Sequence, residues 1–293
     1  MKGKSTRILG LWSMGESQGF HERRDPRVLK DIIKTAYRNG VDTFDSAFSY
    51  KDSDNMLASA MKEMHISEDS FHVIGKVMPV PTFRKKLDVE LNRLGRTYLD
   101  TLLVHWPTEE NLYEAMKDLE KALDDGKARR IGVSNFPVEL IKKLMKDFPI
   151  TIHERAYSPL SSRDIEREPL PLLLYGCYGF GCLLKDGRPG DRRSSLYFYS
   201  DNAYIKFLEL RSLLKSLAIK YNASERVVLL SYAESALPEG IILGASSVNH
   251  AEALMDEAII MENDDMRAIK KLGEGLESFN PSDNVFSHYW KQR

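Results

Sequence analysis

Four ionisable residues stand at or just past the ends of short apolar runs: Asp45 after Thr43-Phe44, Lys76 after Val73-Ile74-Gly75, His105 after Leu102-Leu103-Val104, and Tyr50 in the loop following Asp45. Together they suit reduction of a carbonyl. A carbonyl that accepts hydride develops negative charge on oxygen, so its site needs a proton donor and nearby positive charge or hydrogen-bond donors. Tyr50 supplies the proton in this reading. A free phenol has a pKa of about 10, and a neighbouring Lys76 ammonium is expected to lower it. Asp45 keeps Lys76 charged and oriented, while His105 hydrogen-bonds the substrate oxygen. Taken singly, each residue has a structural explanation: a cap for Asp45, packing for Tyr50, a surface charge for Lys76, a satisfied core histidine for His105. As a set at successive strand ends they are harder to dismiss, because burying Lys and Asp is costly unless they are paired.

The elements that must position them follow from periodicity. Short β-branched or apolar runs alternate with stretches of 3.6-residue periodicity, the pattern of βα units feeding a parallel sheet. Eight strands are predicted to begin near Arg7, Thr43, His72, Asp100, Ala128, Thr151, Leu173 and Gly240. The helix over Val28 to Asn39 follows the cap and first-turn pair Asp25-Pro26 and stops at Gly40; those over Phe83 to Leu94 and Leu112 to Asp125 stop at Gly95 and Gly126. Eight strands with helical crossovers fit a closed α/β barrel better than an open sheet, and such a barrel gathers function at the C-terminal ends of its strands. The chain therefore reads as one (β/α)8 TIM-barrel domain over residues 1–293.

Two intervals break the rhythm. From Ser158 to Leu173 little more than the dozen or so residues of a minimal parallel crossover remain, and Pro159, Pro169 and Pro171 leave no room for a good helix. A shortened crossover is expected near residues 159–173. The interval before the eighth strand is conversely long. It holds helical stretches from Ala203 to Tyr221 and from Ser224 to Ser235, and its excess is expected to form a long loop over the barrel's C-terminal face.

Composition excludes several classes. The 293 residues carry 42 Lys plus Arg against 43 Asp plus Glu, a formal net charge of -1, so nothing electrostatic calls for nucleic acid or an acidic membrane as partner. The charge-free run from Pro169 to Leu184 is shorter than the roughly 20 apolar residues of a membrane helix and is interrupted by Pro171, Gly176, Gly179 and Gly181. It reads as buried strand and loop. Cys177 and Cys182 are too few for a disulfide framework and lie far from any histidine cluster, so no metal site is expected and a reducing cytoplasm fits best. The apolar stretch Ile8 to Trp12 is too short for the core of an export signal.

The chain resembles the aldo-keto reductase family. The resemblance rests on Gly40-Val41-Asp42-Thr43-Phe44-Asp45-Ser46-Ala47 followed by Tyr50, on Gly75-Lys76, and on Leu102-Leu103-Val104-His105-Trp106-Pro107. It continues through Gly126-Lys127-Ala128-Arg129-Arg130-Ile131-Gly132-Val133-Ser134-Asn135-Phe136 and reaches Gly244-Ala245-Ser246-Ser247. The family's Asp, Tyr, Lys and His tetrad matches Asp45, Tyr50, Lys76 and His105. The resemblance implies a (β/α)8 barrel that reduces aldehydes or ketones with a nicotinamide cofactor, with a small carbonyl compound as substrate. Ser134 and Asn135 then look like the residues that hydrogen-bond the carboxamide, and Tyr175 like the aromatic under the ring. Gly244, Ala245 and Ser246, opening a helix near Asn249, suit a cofactor phosphate. Without the family, Ser134-Asn135 reads as a turn and Tyr175 as core filling. Trp12, Phe48 and Trp106 are expected to line the substrate pocket, with the tail Phe286-Ser287-His288-Tyr289-Trp290 contributing to specificity.

Departures from the family's wording concentrate at the cofactor. Lys51 replaces the glycine that usually follows the tyrosine, and Glu154 replaces a glutamine that accepts from the nicotinamide amide. A carboxylate still accepts that bond, and its charge favours the oxidised, cationic ring. Ser246 stands where many members have a basic residue, and His250, Ala253 and Leu254 replace a Gln, Glu and Asn. A lost arginine weakens selection for a 2′-phosphate. The wording Leu243-Gly244-Ala245-Ser246 is also similar to the branch containing the potassium-channel β subunits, where serine is compatible with NADP. NADP(H) is therefore favoured and NAD(H) stays open. The altered positions motivate a second reading, a cofactor-binding regulatory or scaffold protein with weak or no turnover, which the intact tetrad opposes. A Schiff-base aldolase ranks last, because Asp45 would keep Lys76 charged.

Overall fold

Eight short runs form parallel strands: β1 (Thr6–Gly10), β2 (Thr43–Asp45), β3 (His72–Val77), β4 (Thr101–Val104), β5 (Ile131–Ser134), β6 (His153–Ala156), β7 (Leu172–Tyr175) and β8 (Gly240–Leu243). In the computed structural model, which describes residues 5–14, 24–50, 52–108, 110–189, 193 and 200–276, each strand pairs with the next and β8 returns to β1, closing the barrel. Lys51 and the aromatic tail from Phe286 to Trp290 lie outside the described residues.

Pleating decides what the barrel holds. Alternate side chains face its axis, and Ile8, Ile74, Leu103, Ile152, Leu173 and Ile242 form one buried apolar layer. Two residues further along β3, β6 and β7 the same face carries Lys76, Glu154 and Tyr175, and His105 follows Leu103 by the same step. The polar residues thus sit one layer above an apolar plug, at the C-terminal ends of the strands.

Amphipathic helices cover the outside. Helix α1 (Pro26–Arg38) buries Leu29, Ile32, Ile33 and Ala36, an i, i+3, i+4, i+7 stripe, and Asp25 caps it by accepting from the Arg27 amide at 2.8 Å. After α2 (Ser53–Glu63), α3 (Phe83–Leu94) stops where Gly95 takes the left-handed φ of 65°. Next come α4 (Leu112–Asp124) and α5 (Val138–Leu144). The long α6 (Asp201–Lys220) and the shorter α7 (Glu225–Glu234) occupy the extended β7–β8 interval, and α8 (Val248–Glu252) and α9 (Asn263–Glu274) follow β8.

The shortened crossover is present and has a structural counterpart. Residues 157–171 connect β6 to β7 with only a 3-10 turn at Ile165–Arg167, yet the two strands pair in parallel from His153 opposite Leu172 to Ala156 opposite Tyr175. With no helix to cover it, the outer face of β6 is polar rather than apolar. His153 Nδ1 lies 2.9 Å from Glu168 Oε2, Arg155 donates to Glu168 Oε1 at 2.5 Å and to the Arg163 carbonyl at 2.7 Å, and the three side chains are only 1–4% exposed. Helix α9 reaches the same loop through Gly273, where a Cβ would stand 1.9 Å from the Pro159 carbonyl oxygen.

This network sets a stability prediction. Glu168→Gln leaves Arg155 buried without its carboxylate and is expected to cost about 3 kcal/mol, read by urea denaturation at pH 7. An unchanged midpoint would refute the role given to Glu168. Burial holds His153 below its ordinary pKa, outweighing Glu168, so below about pH 6.5 the unfolded chain binds the extra proton and parent stability falls. Burial tends to raise Glu168, but His153 and Arg155 outweigh it and lower its pKa, so its own contribution is lost further down the acid range.

Candidate active site

Asp45 ends β2, Lys76 is the penultimate residue of β3, His105 follows β4, and Tyr50 closes a 3-10 turn at Phe48–Tyr50. All four are buried and adjacent. Lys76 is ion-paired with Asp45 and, at 3.1 Å, with Glu154 Oε2. Its Nζ lies 5.7 Å from the centre of the Tyr50 ring, and the Tyr50 and His105 rings meet edge to face at 5.8 Å.

Electrostatics sets the protonation state of three of them. Burial works against a charged Lys76, but Asp45 and Glu154 outweigh it and raise its pKa, so the ammonium persists. Burial and the Lys76 charge hold His105 well below its ordinary value, leaving a neutral imidazole. The expectation that Lys76 lowers Tyr50 is corrected: burial first, then the carboxyls of Asp45, Glu154, Glu90 and Asp54, push the phenol well above its ordinary value. Two carboxyls already engage the Lys76 ammonium, and the phenol stays protonated.

A cavity of about 550 Å³ opens above the cluster, within the size range of small-molecule sites. Asp45, Tyr50, His105 and Glu154 reach it, whereas Lys76 and Ser134 lie behind its surface. Trp12, Trp106 and Tyr175 form aromatic wall, joined by Phe180, whose ring meets Trp12 edge-on at 6.0 Å. Phe48 is not part of this wall. Its ring turns outward between Lys86 Nζ at 5.3 Å and the Arg93 guanidinium at 5.0 Å, because the 3-10 turn sends residues 48 and 50 in different directions.

A connected polar rim borders the cavity. Asn135, in the left-handed conformation at φ 63°, donates to the His105 carbonyl at 3.2 Å and to Ser134 Oγ at 3.0 Å; Tyr175 donates to Asn135 Oδ1 at 2.6 Å. Ser134 Oγ lies 3.4 Å from Glu154 Oε1. This chain of groups joins the four residues read as carboxamide and ring partners, and through Glu154 it continues into Lys76.

Gly244, Ala245, Ser246 and His250 line the far end of the cavity. Helix α8 spans five residues, and Ser247 takes up the His250 amide at 3.2 Å, so its end alone offers an anion little. Positive charge comes instead from Arg226, in the first turn of α7 and lining the same cavity, with Arg24 and Lys185 also acting on His250. Burial and these three cations lower His250, whose Nδ1 is 2.7 Å from Ser246 Oγ. Among the described residues, Arg226 Nε and Nη2 and Arg24 Nη1 are buried without hydrogen-bond partners. Neither arginine stood out in the sequence; the Ser224 cap fixes the start of α7, but only the folded chain shows that Arg226 borders the cavity.

The barrel and this cluster meet in one protein class. The aldo/keto reductase family profile matches residues 8–274, and the chain belongs to that family, whose members are NAD(P)H-dependent oxidoreductases. A glyoxal reductase of Bacillus subtilis is 34% identical over 124 residues, 41% of this chain and 45% of that enzyme, so this match spans less than half of the relative. An NADH-specific methylglyoxal reductase of Escherichia coli is 22% identical over 76% of this chain and 80% of its own length. Among solved structures, the glycerol dehydrogenase of Gluconobacter oxydans superposes with a TM-score of 0.78 at 20% identity, covering 95% of this chain and 94% of its own, which shows the shared fold. No helix among the described residues is long and apolar enough to cross a membrane.

Proposed function

We propose that this protein reduces small aldehydes or ketones to alcohols, with Tyr50 as the proton donor. The carrying observation is the buried Asp45–Lys76–Glu154 cluster lying beneath Tyr50 and His105 at the floor of an aromatic-walled cavity. Asn135, Glu154 and Tyr175 would hold a reduced nicotinamide, which would supply the hydride for the carbonyl carbon. Tyr50, protonated at working pH, gives its proton to the substrate oxygen as negative charge develops there, and Lys76 stabilises the phenolate that remains. Neutral His105 orients the carbonyl by donating a hydrogen bond. Trp12, Trp106 and Phe180 exclude water and favour compact substrates. Two relatives named for glyoxal and methylglyoxal reduction make 2-oxoaldehydes the first substrates to test. NADPH oxidation followed by absorbance with a panel of such aldehydes tests the reading; cofactor binding without turnover on any of them would refute it.

NADP(H) is the preferred cofactor in this reading. Asn135, Glu154 and Tyr175, which border the cavity, would receive the nicotinamide, with Ser134 behind them holding the Asn135 amide, and the unpartnered N–H groups of Arg226 and Arg24 beside Ser246 and His250 suit a phosphate. They supply the charge that the serine at position 246 lacks. Arg226→Ala is expected to weaken NADPH binding by about 10-fold or more, the value of one charged hydrogen bond, with NADH affinity little changed in a fluorescence titration. An equal loss for both cofactors would place Arg226 away from the 2′-phosphate.

A further inference from the structure

The barrel mouth buries one positive and two negative side chains. Lys76, Asp45 and Glu154 are each at most 4% exposed, and their formal charges sum to one excess negative charge if both carboxyls are ionised. An uncompensated charge in such a place is expensive, so a proton is the cheapest counter-charge. Geometry decides which carboxyl holds it. Both carboxyls border the cavity, but Asp45 makes the closer pair with Lys76, whereas Glu154 stands 3.1 Å from the ammonium with its other oxygen turned towards Ser134 at 3.4 Å. Around Glu154 the titratable groups are Asp45 from β2, Tyr50 from the following turn, Lys76 from β3 and Tyr175 from β7.

We propose that Glu154 carries a proton while the nicotinamide site is empty or holds the reduced ring, and releases it when the site holds the oxidised, cationic ring. The inference rests on the cofactor reading above and adds a proton count to it. In the step, one carboxylic O–H bond at Glu154 breaks, the proton leaves, and the carboxylate that remains neutralises the new positive charge beside it. No other bond changes. Burial foremost, then Asp45, raises the Glu154 pKa to about 8 against the pull of Lys76, which places the group in its protonated form at neutral pH. Conversion of bound reduced to bound oxidised cofactor is therefore accompanied by loss of one proton from the protein, matching the one proton that carbonyl reduction consumes. A glutamine at this position could accept from a carboxamide but could not exchange a proton.

Calorimetric titration of the full chain with NADP⁺ and with NADPH at pH 7, in two buffers of different ionisation enthalpy, counts the protons directly. The expected result is release of close to one proton with NADP⁺ and close to none with NADPH. The affinity ratio of the two forms should also move, by up to about tenfold per pH unit in favour of NADP⁺, as pH rises towards 8. The 2′-phosphate is common to both forms and cancels in that ratio. In Glu154→Gln both signals should vanish while both forms still bind. Equal proton counts for the two forms in the parent, or a difference that survives in Glu154→Gln, would overturn the assignment and leave the reductase reading intact. Failure of either form to bind would overturn that reading and this inference with it.

Discussion

Tyr50→Phe is expected to lower kcat for aldehyde reduction by about 100- to 10,000-fold, the range for loss of a positioned general acid. NADPH affinity should be retained. The phenol is the cavity-facing group best suited to deliver a proton to a carbonyl oxygen: Lys76 lies behind the cavity surface, His105 is held neutral, and Asp45 is ion-paired with Lys76. The high pKa of Tyr50 in the free protein favours this direction of reaction, since the phenol is loaded at any pH the fold tolerates. It works against the reverse reaction, which needs phenolate as base. Alcohol oxidation by the parent should therefore rise with pH across the range where reduction stays level, as stopped-flow rates in both directions would show. A Tyr50→Phe protein that retains a tenth or more of parent kcat would move the acid role to another group, with His105 next in reach.

Most of this architecture was legible because it rests on local rules. Strand starts at Thr43 and His72 follow from β-branched and apolar alternation, and the helix stops at Gly40, Gly95 and Gly126 follow from positive φ at each. The fifth strand begins at Ile131 rather than Ala128, since Ala128 makes only an isolated bridge to Leu99 before the continuous ladder starts. What escaped the sequence depends on distant partners. His153, Arg155 and Glu168 look like ordinary surface charges until the missing helix leaves them to cover one another. Arg226 has the position of a solvent-facing residue in a first helical turn, and only the placement of α7 beside Ser246 turns it to the cavity. Phe48 failed for a local reason, the divergence of alternate residues in a 3-10 turn. The sign of the Tyr50 shift failed for a collective one: Asp54 and Glu90 come from α2 and α3, and their effect on Tyr50 exists only after those helices pack.

Lys76→Met should both abolish turnover and make the fold pH-sensitive in a direction opposite to that of His153. Methionine fills much of the lysine's volume but leaves Asp45 and Glu154 facing each other with no cation between them. Removing one partner of a buried ion pair costs about 3–5 kcal/mol. Two carboxyls can escape much of that penalty by taking up protons, and burial already raises both. Without Lys76 their folded pKa values rise further, whereas in the unfolded chain they remain near about 4. Between those values the folded state binds more protons than the unfolded state, so stability falls as pH rises. The parent already holds one proton at Glu154, so the extra one sits on Asp45 once Lys76 is gone; the variant should lie close to the parent at pH 4.5 and fall progressively below it towards pH 8, by about 1.4 kcal/mol for each unit over which that extra proton is held. Urea midpoints for the two proteins at pH 4.5, 6 and 8 measure this directly. A gap that is constant with pH would mean that Lys76 is replaced by water or by another cation, and that the carboxyl cluster is not closed to solvent; a gap that widens with pH shows that the lysine's structural task is to let two acids share the barrel mouth while Tyr50 keeps its proton.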